Sequence, residues 1–388
     1  MIAPISSTPQ APSALQGISE VGPIPDLMEA AIDAIQVPTP VEAGPFKFLP
    51  HLLYRFLYGN GIQPQPGFQA TTGVSTFAPG ILVDMGTHWT LDYTPTWNWY
   101  SNHVFTDSVD QEAALNGGAQ LSDWVLQAGQ SFTTSHNPLV ETGMQTEEKD
   151  YLTTFDAQHQ VAPGLLLDLG LDQDVRLAAG FPTSRAWDNA DWLRYRVAPK
   201  VVVSAGAGAG YVTVSEGPDQ YYFTPEAQVS VEATDKTSFD ATVGYQSRTF
   251  IEEPRLRHDS PVFQADIVNR PTETTKITLS GSKQVAVSYF VDETTQTTQW
   301  DFKVDQRFLQ HLFLTADLGE EYVDYLSTLT QSDTVRDDHD LLLNVRLGTT
   351  FLGRGSFALL YARSHNDSSL AGYSFTSNQV GFEVSYKY

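Results

Sequence analysis

The sequence predicts an all-β fold: a transmembrane antiparallel up-and-down β-barrel of about 18 strands (16–18), preceded by a short N-terminal extension holding one small helix. Three observations predict it. Apolar and polar residues alternate with period two from about residue 50 to the last residue. Many alternating segments reach roughly 10–15 residues, whereas soluble strands average nearer 5–6 and about 9–11 cross a bilayer at a tilt. The connections alternate short and long, as in a meander whose even turns all lie at one end.

Residues 1–46 are rich in Pro, Ala and Ser and read as a periplasmic or plugging extension, with the barrel in 47–388. Within the extension, 25–35 reads as a short amphipathic helix, because Leu27, Ala31 and Ile35 recur at four-residue steps. Pro38, Pro40 and Pro45 end it. Strands are expected near 51–58, 68–85, 88–101, 110–121, 124–134, 149–161, 164–177, 190–200, 202–214, 219–233, 237–250, 261–271, 275–289, 296–308, 311–325, 340–351, 355–364 and 372–388. The alternation is plain in Trp89, Leu91, Tyr93, Pro95, Trp97 and Trp99, and in Tyr221, Phe223, Pro225, Ala227, Val229 and Val231. The longer connections are expected at 59–67, 135–149, 179–189, 251–260 and 327–339. The turn at Pro199-Lys200 is the least well marked, since it has no Gly. Gly206, Gly208 and Gly210 leave one face of their strand bare, which makes a bend or room for large side chains or a plug inside the barrel.

Aromatic residues gather near the ends of the apolar faces: Tyr54 and Tyr58, Trp97 and Trp99, Tyr221 and Phe223, Tyr386 and Tyr388. Rings of mixed polarity prefer the headgroup level, so these read as girdles. The chain ends as a strand, with Phe382, Val384, Tyr386 and Tyr388 on its apolar face.

The formal net charge is −24 on a chain with only 18% charged residues. That argues against nucleic acid as a partner, because phosphate contacts need clustered Lys and Arg. With no Cys, disulfide scaffolds, thiolate metal sites and thiol catalysis are out. No run approaches the ~18 apolar residues of a membrane helix. Met1-Ile2-Ala3-Pro4 does not begin a secretory leader, so a leader is expected to have been removed.

At the level of the whole strand region the chain resembles bacterial outer-membrane β-barrels. Its last strand, through Phe382, Val384, Tyr386 and Tyr388, is similar to the C-terminal signal read by the barrel-assembly machinery. More narrowly, Tyr58-Gly59-Asn60-Gly61-Ile62, Ala78-Pro79-Gly80-Ile81 and Trp89-Thr90-Leu91-Asp92-Tyr93 resemble the β-barrel porin family associated with exopolysaccharide loci. Gly59 stands where that family usually carries an acidic residue. The resemblance implies an outer-membrane channel, with the lipid bilayer, outer-leaflet glycolipid and the assembly machinery as partners.

No pattern calls for a cofactor or a metal. Nine His are scattered, without His-Glu-x-x-His spacing. Ser280-Gly281-Ser282-Lys283 matches a Ser-x-x-Lys pattern but lies in a strand. His103 with Asp107, and Asp337-Asp338-His339-Asp340, place His beside carboxylates in what read as outer loops; acid–base work or a divalent ion there is weighed against plain solvation. An enzyme is not expected.

The polar face is the informative one. Alternation turns Asp84, Asp92, Glu112, Asp156, Asp168, Asp172, Asp174, Glu226, Glu232, Asp240, Asp266, Asp301, Asp305, Asp317 and Glu383 inward. With them go Arg55, Arg176, Arg194, Arg196, Arg248, Lys276, Lys303, Arg307, Arg346 and Lys387. The candidates for a charge filter in the lumen are Asp168, Asp172, Asp174, Arg176, Arg194, Arg196, Arg248, Arg307 and Arg346. The competing reading is internal pairing that simply fills the barrel. The expected function is passive passage of small hydrophilic solutes or a polysaccharide, with modest cation preference. The alternative is a plugged structural or assembly barrel, sealed by the 25–35 helix or by inward-folding outer loops.

Overall fold

The computed structural model describes residues 41–86, 88–251, 256–309, 311–330 and 334–387. The expected helix at 25–35 and Tyr388 lie outside the described residues. The strands run in chain order: β1 (Val41–Ala43), β2 (Phe46–Gln65), β3 (Phe68–Met85), β4 (Trp89–Tyr100), β5 (Ser108–Leu121), β6 (Trp124–Ser135), β7 (Pro138–Leu139), β8 (Met144–Gln145), β9 (Glu148–Ala162), β10 (Leu165–Ala178) and β11 (Ser184–Ala198). They continue with β12 (Val201–Val214), β13 (Gln220–Thr234), β14 (Thr237–Phe250), β15 (Arg257–Thr272), β16 (Thr275–Val287), β17 (Glu293–Phe308), β18 (Leu312–Ser327), β19 (Thr334–Phe351), β20 (Gly355–Ser368) and β21 (Phe375–Lys387).

Eighteen of them, β2–β6 and β9–β21, form one antiparallel wall in which each strand pairs with its neighbours in sequence. Pairing of β2 with β21, from His51↔Lys387 to Asn60↔Asn378, closes it. Closure satisfies every edge, which is the condition for a sheet to cross hydrocarbon. β1 is a short addition folded back on β2 through Gly44, whose φ is +65. β7 and β8 pair only with each other, inside the long connection between β6 and β9.

All 18 expected strands are present, and the main departures are at their loop ends. β2 runs on to Gln65, so the expected loop at 59–67 is an extension of the β2–β3 hairpin. Two register shifts there, between Gly59 and Ile62 and between Ile62 and Gln65, absorb the glycines that suggested a loop. Likewise β11 begins at Ser184 and β19 at Thr334, inside stretches that read as connections. The Pro199-Lys200 turn closes without Gly, helped by a register shift between Arg196 and Ala198.

The two faces separate as the alternation requires. Leu171, Leu193, Val243, Leu279, Phe302, Leu318 and Leu359 are all exposed, and they lie on the outer face of their strands. A belt of this extent is not tolerated by a soluble protein and matches a lipid-facing band. Tyr58, Trp99, Trp187, Tyr211, Tyr221 and Tyr245 stand outside near the long connections, and Trp89, Tyr195, Phe308 and Tyr386 outside near the short turns. Phe382, Val384 and Tyr386 share this outer face on β21, with Phe382 against Tyr54, Phe56 and Phe357. Short turns mark the periplasmic end and long connections the outer end.

Gly206, Gly208 and Gly210 face inward on β12. A Cβ on Gly206 would overlap the Trp192 ring, and one on Gly210 the Tyr222 ring. The bare face thus admits two inward aromatics from the flanking strands, one of the readings the glycine run suggested.

Candidate functional site: the lumen and the loop across it

The nine filter candidates all face inward, and they stand at several heights. Nearest the turns are Arg196 and Arg307, which form no ion pair among the described residues. A little higher, Arg194 on β11 reaches Asp168 on β10 (2.9 Å) and extends past β12 to Gln228 on β13 (2.7 Å). On the other wall Glu383 of β21 receives Arg55 of β2 (2.7 Å) and Arg346 of β19 (2.9 Å). Arg346 spans β20 because Ala358 there is fully buried and short. These two clusters are the internal pairing that competed with a filter.

The middle of the β9–β11 wall is different. Asp172 lies opposite Asp188 in register, and Asp156 opposite Gly170. Like charges directly across a ladder repel. Neither these three nor Asp174 forms an ion pair with Arg or Lys among the described residues; Asp188 instead accepts from the Tyr222 hydroxyl. Below them, toward the turns, is a hollow of ≈ 640 Å³ lined by Asp84, Thr90, Asn116, Gln127, Thr154 and Asp156 on β3–β6 and β9, with no Lys or Arg in its lining.

At the outer end the lumen is crossed. The connection from β6 to β9 does not stand in solvent: Asn137, Leu139, Glu141, Thr142, Thr146 and Glu148 are buried. Ser288 Oγ and the Tyr289 backbone N–H, from the β16–β17 connection on the far side of the barrel, both donate to one carboxylate oxygen of Glu141 (2.7 Å each). Arg336 of β19 donates to the Glu141 carbonyl (2.8 Å) and pairs with Asp338. Its guanidinium lies between Tyr325 (4.5 Å) and Tyr373 (3.7 Å). Arg176 of β10 stacks on Tyr289 (4.0 Å) and donates to the carbonyls of Val287 and Ser288. Leu139, Ala178 and Tyr289 pack together with Phe181. Arg248 sits lower on the same side, over Tyr222 and bonded to Gln220 and the Val285 carbonyl.

Glu141, Tyr289, Arg336 and Tyr373 escaped the sequence reading. The one signal for them is apolar: Leu139, Val140 and Met144 sit in a segment that alternation alone assigns to solvent. Two other candidates are relocated. Asp337–Asp340 belong to β19 and not to an outer loop, because β19 rises past the apolar belt. His339 faces outward there, 3.0 Å from Glu320 and stacked on Tyr322. His103 is exposed, and Asp107 is used to accept from the Tyr100 backbone N–H (2.7 Å). Among the described residues no group of His, Asp and Glu is arranged to hold a metal ion.

Residues 218–388, which hold β13–β21, match the family model described as "Putative beta-barrel porin 2". The match lies in the second half of the barrel, whereas the finer resemblance in the sequence had rested on the first 100 residues. No curated protein matches the chain. Among solved structures it is similar to Pseudomonas aeruginosa OccK9 (OpdG), at 11% identity and a TM-score of 0.49, over 88% of this chain and 98% of that one. Pseudomonas aeruginosa OccK2 (OpdF) gives 11% and 0.48 with the same coverage, and OpdO from the same organism 14% and 0.47, over 88% and 97%. The closed wall of 18 strands and its apolar exterior, with the porin-family match over residues 218–388, make this chain a β-barrel of the bacterial outer membrane that is porin-like in its matched segment.

Proposed function

We propose that the barrel passes small hydrophilic solutes passively and prefers cations. The observation that carries this is the hollow of ≈ 640 Å³ at the turn end, lined by Asp84 and Asp156, by His88 and by polar groups such as Thr90 and Asn116, with no Lys or Arg. Asp172, Asp174 and Asp188 continue the acidic wall upward. In a channel with low-dielectric walls such a row raises the local cation concentration. The loop across the outer end favours small solutes over a polysaccharide chain. Reversal potentials in a KCl gradient across planar bilayers test the proposal. A potential on the K⁺ side is expected, and Asp156→Asn with Asp172→Asn should lower the permeability ratio by about twofold. Absence of conductance, or anion preference, overturns it.

A second reading, a sealed structural barrel, draws on the burial of Glu141 and Thr142 at the outer end. Removing the β6–β9 loop, or residues 1–46, separates the two: a sealed barrel begins to conduct, and a porin conducts already.

A further inference from the structure

We propose that the space beneath the β6–β9 loop is a binding site for a small neutral solute that is mostly apolar and carries one hydroxyl group. It is separate from the acidic hollow, and it does not depend on whether the barrel conducts. The site lies between the underside of the loop, at Leu139 and Val140, and the inner wall of β2, β3, β4 and β21. Its volume is about 60 Å³. By the same measure one water needs at least ~10–15 Å³, so the site takes an occupant of roughly four to six non-hydrogen atoms at most.

Leu57, Val74 and Leu139 supply an apolar lining, and no Asp, Glu, Lys or Arg takes part in it. A charged occupant would lose its hydration with nothing to replace it, so the occupant is neutral. Two polar atoms set the rest. Gln63 is 5% exposed and Tyr100 7% exposed, yet Gln63 Oε1 and the Tyr100 hydroxyl have no hydrogen-bond partner. Both residues line the cavity. The orientation of the Gln63 amide is fixed, because its Nε2 donates to the Gly372 carbonyl (3.2 Å), which leaves Oε1 as an acceptor. An unmade bond at a buried polar atom is costly, and a hydroxyl, which both donates and accepts, matches this pair.

The loop forms the roof, and Arg336 holds it there. The guanidinium donates to the carbonyls of Glu141 and Val140, so the cavity persists as long as that clamp does.

tert-Butanol and tert-butyl fluoride serve as probes, since they are alike in size, with about five non-hydrogen atoms each, and only the alcohol donates a hydrogen bond. Binding to the full chain in nanodiscs is followed by ligand-observed NMR. Val74→Phe, which fills the cavity, gives the background of partitioning into lipid. tert-Butanol should bind above that background, about tenfold more tightly than tert-butyl fluoride. Gln63→Leu, close in shape, should remove most of the difference while leaving tert-butyl fluoride unchanged. Should Val74→Phe fail to fold, Gln63→Leu still carries the comparison. The proposal is overturned if tert-butanol shows no binding above lipid background, if tert-butyl fluoride binds equally well, or if Gln63→Leu leaves the preference intact. Failure here would leave the cation preference of the pore untouched.

Discussion

The two ends of the lumen are built by the same rule and finish in opposite states. At the turn end, inward residues of β3–β6 and β9 face a hollow with Asp84 and Asp156 in its wall. At the loop end, inward residues of β10 and β19 meet protein: Arg176 lies on Tyr289, and Arg336 between Tyr325 and Tyr373. Alternation decides which side chains enter the barrel. Whether they then meet water or a packed interior depends on one connection, the loop between β6 and β9. An arginine at the turn end is hydrated, whereas one at the loop end must find carbonyls, a carboxylate and aromatic faces.

Removing that loop tests the contrast most severely. Joining Ser135 to Glu148 through a short Gly-Ser linker takes out every contact that Glu141 and Leu139 make across the lumen. Single-channel conductance should rise several-fold, because the turn end already offers a wide hollow. An unchanged conductance would place the constriction elsewhere and remove the distinction between the ends.

The barrel itself was legible in the sequence because its signals are local. Each strand announces its own faces, so Leu165 to Ala178 on β10 could be read without knowing its neighbours. Even the glycines of β12 offered room for large side chains as one of their readings, beside a bend or a plug. The loop across the lumen was not legible, for the opposite reason. Glu141 meets Tyr289 across 148 residues of chain and Arg336 across 195, and neither contact leaves a periodic trace. Arg336 was missed in a segment read as a loop, and only the continuation of β19 turns it inward. The candidate charges face inward, as alternation requires, but their heights, and so their grouping into the Arg194–Asp168 and Arg55–Glu383–Arg346 clusters, follow from register.

The second-largest effect is expected at Arg336. Its side chain is almost fully buried and serves Asp338, two carbonyls of the loop and two rings. Arg336→Met leaves Asp338 buried without its partner, at about 3–5 kcal/mol. The urea midpoint should fall accordingly, and open-channel noise should rise as the loop loses its clamp. A normal midpoint would mean that the loop end tolerates an uncompensated charge, as the turn end does.

A smaller effect should follow pH through Glu141, in the loop outside the membrane-spanning wall. Burial holds its carboxyl above the ordinary range, and the nearby Arg176, the bonds from Ser288 and Tyr289, and Arg336 only partly oppose this. A raised value in the seated loop means that the seated form binds a proton more readily than a released one. Seating is therefore weakest above the raised value and strengthens as pH falls through it, until both forms are protonated below the ordinary value of 4.5. Conductance or its noise should be greater near pH ~8 than near pH ~5, and Glu141→Gln should flatten the difference. A wild-type profile that is flat, or reversed, would show that the loop does not use this carboxyl as its seat.

The smallest effect belongs to the turn end and sharpens the contrast from below. Lys200 in the β11–β12 turn reaches Asp235 in the β13–β14 turn at 2.5 Å, which is close by any geometric standard. Each partner favours the other's charged form: Lys200 draws the Asp235 carboxyl below its usual range, and Asp235 lifts the Lys200 ammonium. Taken alone, the lowered Asp235 value would add stability above the ordinary carboxylate range and lose it as pH falls. Yet both side chains are open to solvent, where water and salt screen the attraction and holding two long side chains together offsets what remains. Lys200→Ala should therefore leave the urea midpoint unmoved at low and high salt, although its ion pair is a close one. A measurable loss would mean that the turns are shielded in the membrane-inserted protein, and the two ends would then differ in degree and not in kind.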